Sequence, residues 1–318
     1  MKTVLIGSND VGKRLDGFIF KILPNVPKSL IFKFIRKNKI KINGNKSKID
    51  YRLNFSDVLT LFLGKNFKYD LNCNKNQFMA ASSQLDIVYE DKNIILVNKK
   101  AGLICHQDKN NNFNCLINKI KKYLYENGEY DHEKENSFSP ALVNRIDRNT
   151  SGIVIAAKNA ISLKILNEKI KNREIKKYYQ CLVYGKMEKQ EDILTAFLIK
   201  DETQNKVFIS KCKTENSKII KTKYKVKKSE DNISLLNIEL LTGRCHQIRA
   251  HLAWAGHPII GDGKYGLKKS NDKLPIIESF FNSDTNRYQA LLAYKIKFEF
   301  DSDAGILNYL NGKEIELI

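Results

Sequence analysis

The spacing of apolar positions changes several times along this chain, and each change marks an element. Leu30, Ile31, Phe34 and Ile35 recur with helical spacing on one arc, while Lys33, Arg36 and Lys37 fall on the opposite arc. Residues 39–44 then alternate and end in Asn43-Gly44, a strong hairpin-turn signal. From Lys65 to Gln84 the sequence turns polar and irregular, which predicts an interdomain linker that lets two domains find separate sites. Leu85 to His106 reads as two short strands around a turn at Glu90 to Asn93, and Leu116 to Leu124 as a helix. Ile153 to Ala157 is an unbroken run of β-branched and small residues, the pattern of a strand buried on both faces. Ala160 to Arg173 carries Leu163, Leu166 and Ile170 on a helical period; Ile175 to Gly185 reads as a strand with Tyr179, Cys181 and Val183 on one face. Residues 186–238 alternate short apolar runs with charged turns, as an antiparallel sheet does. Thr242-Gly243 opens a last helix with Ile248, Leu252 and Ala255 inward and Gly256 at its end. His246 and Arg249 are three apart and are expected on one face of it.

At 318 residues, 42% apolar and 28% charged, the chain fits a soluble protein of about two domains. No apolar run is long enough to span a bilayer and no signal segment leads the chain, so a cytoplasmic location is expected. Cys73, Cys105, Cys115, Cys181, Cys212 and Cys245 form no C-x-x-C pair, which argues against a zinc site or a disulfide framework. The net charge of +20 changes the picture most, because it points to a polyanionic partner, although a Lys- and Asn-rich composition also follows from an A/T-rich genome. Thirteen Lys or Arg against four Asp and no Glu fall in the first 64 residues.

Two stretches are dense in chemistry. In the first, Asp147 stands between Arg145 and Arg148, ahead of a turn at Asn149-Thr150-Ser151-Gly152. Either this is a structural ion-pair cluster, or the arginines keep a reactive carboxylate ionised. No second carboxylate is expected to accompany Asp147, which disfavours a metal-dependent or acid-base hydrolase. The second stretch, Leu241 to Asp262, holds three histidines, Cys245 and Asp262, but His246 and His251 are five apart and no H-E-x-x-H glutamate is present, so no metal is expected.

Taken in order, Asp147 with its arginines, the Tyr179 strand and the Thr242 to His251 helix resemble the RluA-type pseudouridine synthases. The likeness runs over most of residues 85–266. Lys13-Arg-Leu-Asp16, Val26-Pro-Lys-Ser29, Ile35-Arg-Lys37, Ile40-Lys-Ile-Asn-Gly44 and Ser56-Asp-Val58 resemble the small RNA-binding module of the ribosomal protein S-four type. That module usually has Gly where Ser56 stands. Within the synthase pattern Asn144 replaces a usual His, Lys100 a usual Pro and Asn149 a frequent Asp.

The resemblance implies an α+β protein: a small α+β RNA-binding domain at 1–64, a linker at 65–84, and at 85–318 a catalytic domain with a mixed, mainly antiparallel sheet and a central cleft. It implies isomerisation of uridine to pseudouridine in ribosomal RNA of the large (23S) subunit, by a monomer without a cofactor or metal. The family's aspartate, tyrosine and arginine fall on Asp147, Tyr179 and Arg249. Lys28, Lys33, Arg36 and Lys37 are expected to grip RNA from the first domain, and Arg145, Arg148, Arg244 and His246 around the catalytic cleft. The alternative is a non-catalytic RNA-binding or ribosome assembly factor on the same scaffold.

Overall fold

The structure, a computed structural model, describes residues 1–63, 76–108, 113–201, 203–204, 206–230, 232–266 and 288–317. It begins with strand β1 (Lys2–Leu5), helices α1 (Leu15–Ile22) and α2 (Lys28–Arg36), and strands β2 (Ile40–Ile42), β3 (Asn45–Lys46) and β4 (Val58–Leu61). These strands form a four-stranded sheet in the order β1-β4-β2-β3. Ile31, Phe34 and Ile35 of α2 are buried in a core of their own with Leu15, Phe18 and Leu59. Lys28, Lys33, Arg36 and Lys37 are exposed, so the amphipathic reading of α2 holds. Asn43 and Gly44 both have positive φ, as the tight turn between β2 and β3 demands. Ser56 also sits at φ 66, a left-handed conformation that glycine adopts without strain, which explains why glycine is usual there.

The first unit makes direct hydrogen bonds to the residues that follow it. Asp10, 1% exposed, accepts hydrogen bonds from Ser137 and Asn136, and Lys13 donates to Ser137. Asn9 donates to Glu135 and accepts the backbone N–H of Ala160. The linker expected at 65–84 lies outside the described residues up to residue 75; beyond it, Phe78 is buried in the main core, so this half is docked structure. A lone phenylalanine without periodic neighbours gives no element signal, which is why the stretch reads as a loop.

Among the described residues that follow, one eleven-stranded sheet organises the structure. Its strands are β5 (Ile87–Glu90), β6 (Ile94–Lys99), β7 (Ala141–Leu142), β8 (Ser151–Ala157), β9 (Ile175–Tyr184), β10 (Glu191–Asp201), β11 (Lys206–Ser210), β12 (Lys218–Glu230), β13 (Ile233–Leu240), β14 (Leu291–Phe298) and β15 (Glu314–Glu316). The main order is β11-β10-β12-β13-β9-β14-β8-β6-β5. Every described pairing in it is antiparallel except β8 with β14. Helices α3 (Leu116–Glu126), α4 (Ala160–Lys171) and α5 (Gln247–Trp254) pack against the sheet. From Gly152 to Ala157 β8 is buried, as its unbroken apolar run predicts. The mixed, mainly antiparallel α+β architecture is the expected one. Strands β9, β13 and β14 and the turn that enters β8 line the cleft described next.

Candidate active site

A cleft of about 740 Å³ opens over these strands, a size typical of sites for small organic groups. Asp147, Tyr179 and Arg249 all line it.

Asp147 is carried on the turn that enters β8, and that turn is fixed from several sides. Asn144, buried, accepts the N–H of Ile155 and donates to the carbonyl of Ile153, so an amide performs the stapling at this departure from the family pattern. Thr150 donates its N–H to the Asp147 carbonyl and accepts from the Gln289 side chain. Gly152, at φ 114, faces the backbone of Ala293 across the parallel β8–β14 pairing; a Cβ there would collide with it. Beneath the turn lies Lys99, 1% exposed, whose ammonium donates to the carbonyls of Lys100, Leu103 and Arg148. Burial lowers the Lys99 pKa to about 8, with the charges of Cys105 and Asp147 acting the other way. The lysine thus ties the Asp147 turn to residues 100–103.

The cation paired with Asp147 is Arg249, not its sequence neighbours. Arg249 Nη1 donates to Asp147 Oδ2 at 2.7 Å. Arg145 is exposed on the cleft wall, and Arg148 is exposed outside it with Nε donating to the carbonyl of Gly102. The Arg-Asp-Arg triplet is therefore not an ion-pair cluster among the described residues. Consecutive residues of an open turn point apart, and the matching charge arrives from a helix 102 residues later.

Arg249 is itself held by Asp262, whose side chain is fully buried. Nε and Nη2 donate to the two Asp262 oxygens at 2.7 and 2.8 Å, a fork-to-fork pair. The same carboxylate accepts the backbone N–H groups of Lys264 and Tyr265. Burial alone would raise the Asp262 pKa; the Arg249 hydrogen bonds and charge and these amides more than reverse it, leaving it below the ordinary value. Burial likewise disfavours charge on Arg249, but Asp262 first and Asp147 second hold it well above its usual value. The guanidinium also stacks over the Tyr265 ring, 5.2 Å from its centroid. This corrects the expectation that no second carboxylate accompanies Asp147: Asp262 shares the Arg249 guanidinium with it, from a position 115 residues further along the chain, where sequence order gives no sign of the partnership.

His246 does not share a helix face with Arg249. It precedes α5 in a left-handed conformation, φ 51. That backbone nevertheless turns its ring into the cleft, where Nδ1 meets the Tyr265 hydroxyl at 2.8 Å and Nε2 lies 3.9 Å from Asp147. Burial lowers the His246 pKa, partly offset by Asp147. The lowering favours the neutral ring, and 3.9 Å to Asp147 is too long for a hydrogen bond. Ala255, expected to face inward with Ile248 and Leu252, is only partly buried, and α5 instead buries Gln247, Arg249, Ala250 and His251 too. His251 bonds Thr222 through Nδ1 and His257 meets the Tyr184 carbonyl, so the three histidines serve separate places.

Tyr179 projects from β9 into the cleft and is 6% exposed. Burial, then the charge of Asp147, pushes its phenol far above the usual value, so it remains protonated. Arg244 is exposed on the cleft wall. Lys28, Lys33, Arg36 and Lys37 lie apart from the cleft in the first unit. Among the described residues, no helix is long and apolar enough to cross a membrane.

Residues 93–254 match the RNA pseudouridylate synthase family. The chain is 35% identical over 321 residues to an RNA pseudouridine synthase of Mycoplasma capricolum, covering 99% of this chain and 97% of that protein. It is 31% identical over 300 residues to ribosomal large subunit pseudouridine synthase C of Haemophilus ducreyi, covering 94% and 88%. Among solved structures, the human RNA pseudouridylate synthase domain containing 1 is similar in fold, with a TM-score of 0.54 at 20% identity over 74% of this chain and 84% of that one.

Proposed function

Because the chain belongs to the RNA pseudouridylate synthase family, an enzyme class that isomerises uridine in RNA, we propose that its substrate is large-subunit ribosomal RNA and that Asp147, Tyr179 and Arg249 carry the reaction. The relatives named as ribosomal large subunit synthases support the substrate class. The observation that carries the site assignment is the Asp147–Arg249 contact of 2.7 Å on the wall of a cleft that also holds Tyr179.

The reaction breaks the bond from C1′ to N1, turns the uracil and joins C1′ to C5. C5 gives up a proton and N1 ends with one, so no electrons are gained or lost. A uridine stacked in folded RNA does not expose C1′, so the nucleotide is flipped into the cleft. Asp147 acts on the nucleoside while Arg249 holds the carboxylate in one orientation, itself aimed by Asp262. The Tyr179 ring lies against the uracil and its protonated hydroxyl serves as a donor, while the buried walls keep water from the detached base. Arg145 and Arg244 meet flanking phosphates, and His246 lines the space beside the carboxylate. Arg148 binds RNA outside the cleft.

The first unit is an RNA-binding domain of the S-four type, and Lys28, Lys33, Arg36 and Lys37 are its phosphate contacts. The protein works in the cytoplasm as a monomer, and the chemistry needs no cofactor or metal. Carbodiimide adduct mapping of ribosomal RNA from cells lacking the chain, complemented with wild type or Asp147→Asn, tests the reading. Wild type restores one or more pseudouridines in large-subunit RNA and the variant restores none while still binding RNA. Restoration by the variant, or no change with wild type, refutes it.

A further inference from the structure

Lys177 lies in the cleft wall two residues before Tyr179 on β9, and nothing in the chemistry above uses it. Its ammonium packs beside Gly243, at the turn that leads to α5; a Cβ at Gly243 would lie 3.7 Å from Nζ. Burial lowers its pKa, and the neighbouring charge of Arg173 lowers it further. Among the described residues its ammonium has neither a hydrogen bond nor a carboxylate partner. A half-buried ammonium on the cleft wall that has no partner in the protein is placed to meet an anionic ligand.

Strand geometry indicates which anion. Residues i and i+2 of a strand share a face and lie about 6.5–7 Å apart, which is on the order of the separation between a nucleotide's base and its own phosphate. With the Tyr179 ring against the uracil, Lys177 stands one nucleotide's reach away on the same wall. We propose that Lys177 is a binding residue for the backbone phosphate of the flipped nucleotide, so that Tyr179 and Lys177 measure one uridylate between them. This rests on the flipped-uridine reading above.

The test compares wild type, Lys177→Met and Lys177→Arg as full-length proteins on a large-subunit ribosomal RNA transcript. Lys177→Met keeps the length of the side chain and removes the charge. Its kcat/KM falls about tenfold, and the slope of log Kd against log salt falls by about 0.7, the value for one phosphate on a single strand. Lys177→Arg recovers most of both. The melting temperature of Lys177→Met stays at or above that of wild type, because no protein partner of the ammonium is lost; a lysine with a purely structural role would lower it. Unchanged kcat/KM and salt slope in Lys177→Met overturn the proposal, and so does a lowered melting temperature accompanying the loss. If wild type forms no pseudouridine on the transcript, the functional reading fails, while the salt slopes still decide whether Lys177 meets a phosphate.

Discussion

Replacing Asp262 by Asn keeps the shape of the side chain and removes the charge that fixes Arg249. Asp262 is fully buried and the Arg249 side chain is 9% exposed, so the arginine would keep Asp147 as its only carboxylate. Removing one partner of a buried pair costs about 3–5 kcal/mol. Asn can still accept one hydrogen bond, which favours about 3 kcal/mol. At about 2–4 °C per kcal/mol for a chain somewhat shorter than this one, the expected loss of melting temperature is about 6–12 °C. The pH dependence gives the sharper check. The folded-state pKa of Asp262 is depressed, so its contribution is fully present above the unfolded value near ~3.9 and disappears as pH falls through the folded value. The gap in melting temperature should therefore be widest above about pH 5 and narrow below about pH 4. Activity should fall about 100-fold, the effect of misplacing a reacting group by roughly 1 Å. Calorimetric scans of both proteins from pH 3 to 8 and turnover on ribosomal RNA measure these effects. A variant that melts with wild type, or a gap that stays constant into acid, would refute the claim that Asp262 anchors the site through Arg249.

Three further variants test other links between sequence and site. Ser56→Gly relieves the left-handed strain at φ 66 and should stabilise the first unit by about 0.5–1 kcal/mol after its added unfolded-state entropy, read from the urea midpoint at constant m. Gly152→Ala puts a methyl group into the Ala293 backbone and forces a strained φ; a loss of more than about 3 kcal/mol is expected, seen as a lowered melting temperature or insoluble protein. Changing Lys33, Arg36 and Lys37 together to Gln should lower the salt slope of RNA binding by about 2–3 units and leave turnover on saturating RNA within twofold; an unchanged slope would deny this surface its RNA.

The elements were legible in the sequence because their signals lie within each element. The period of Leu30 to Ile35 places α2 and the apolar run at Ile153 to Ala157 places β8 without any knowledge of neighbours. Asp147 stood out for the same local reason. Its partner does not follow from its surroundings: adjacency points to Arg145 and Arg148, whereas the contact is made by Arg249, which only the family resemblance singles out. The anchoring role of Asp262 had no local signal, since a charge network among residues 147, 249 and 262 exists only after α5 packs over the sheet. His246 shows the same limit in the backbone, because a left-handed histidine carries no sequence mark. Gly152 is the instructive middle case. The sequence marks it as a turn glycine, and it does take positive φ, but its stronger constraint is the approach of Ala293 across the single parallel pairing among the described strands of this sheet. That pairing brings Gln289 to Thr150 beneath the Asp147 turn. The glycine therefore encodes a long-range closure that shapes the site, in a form that local reading takes for punctuation.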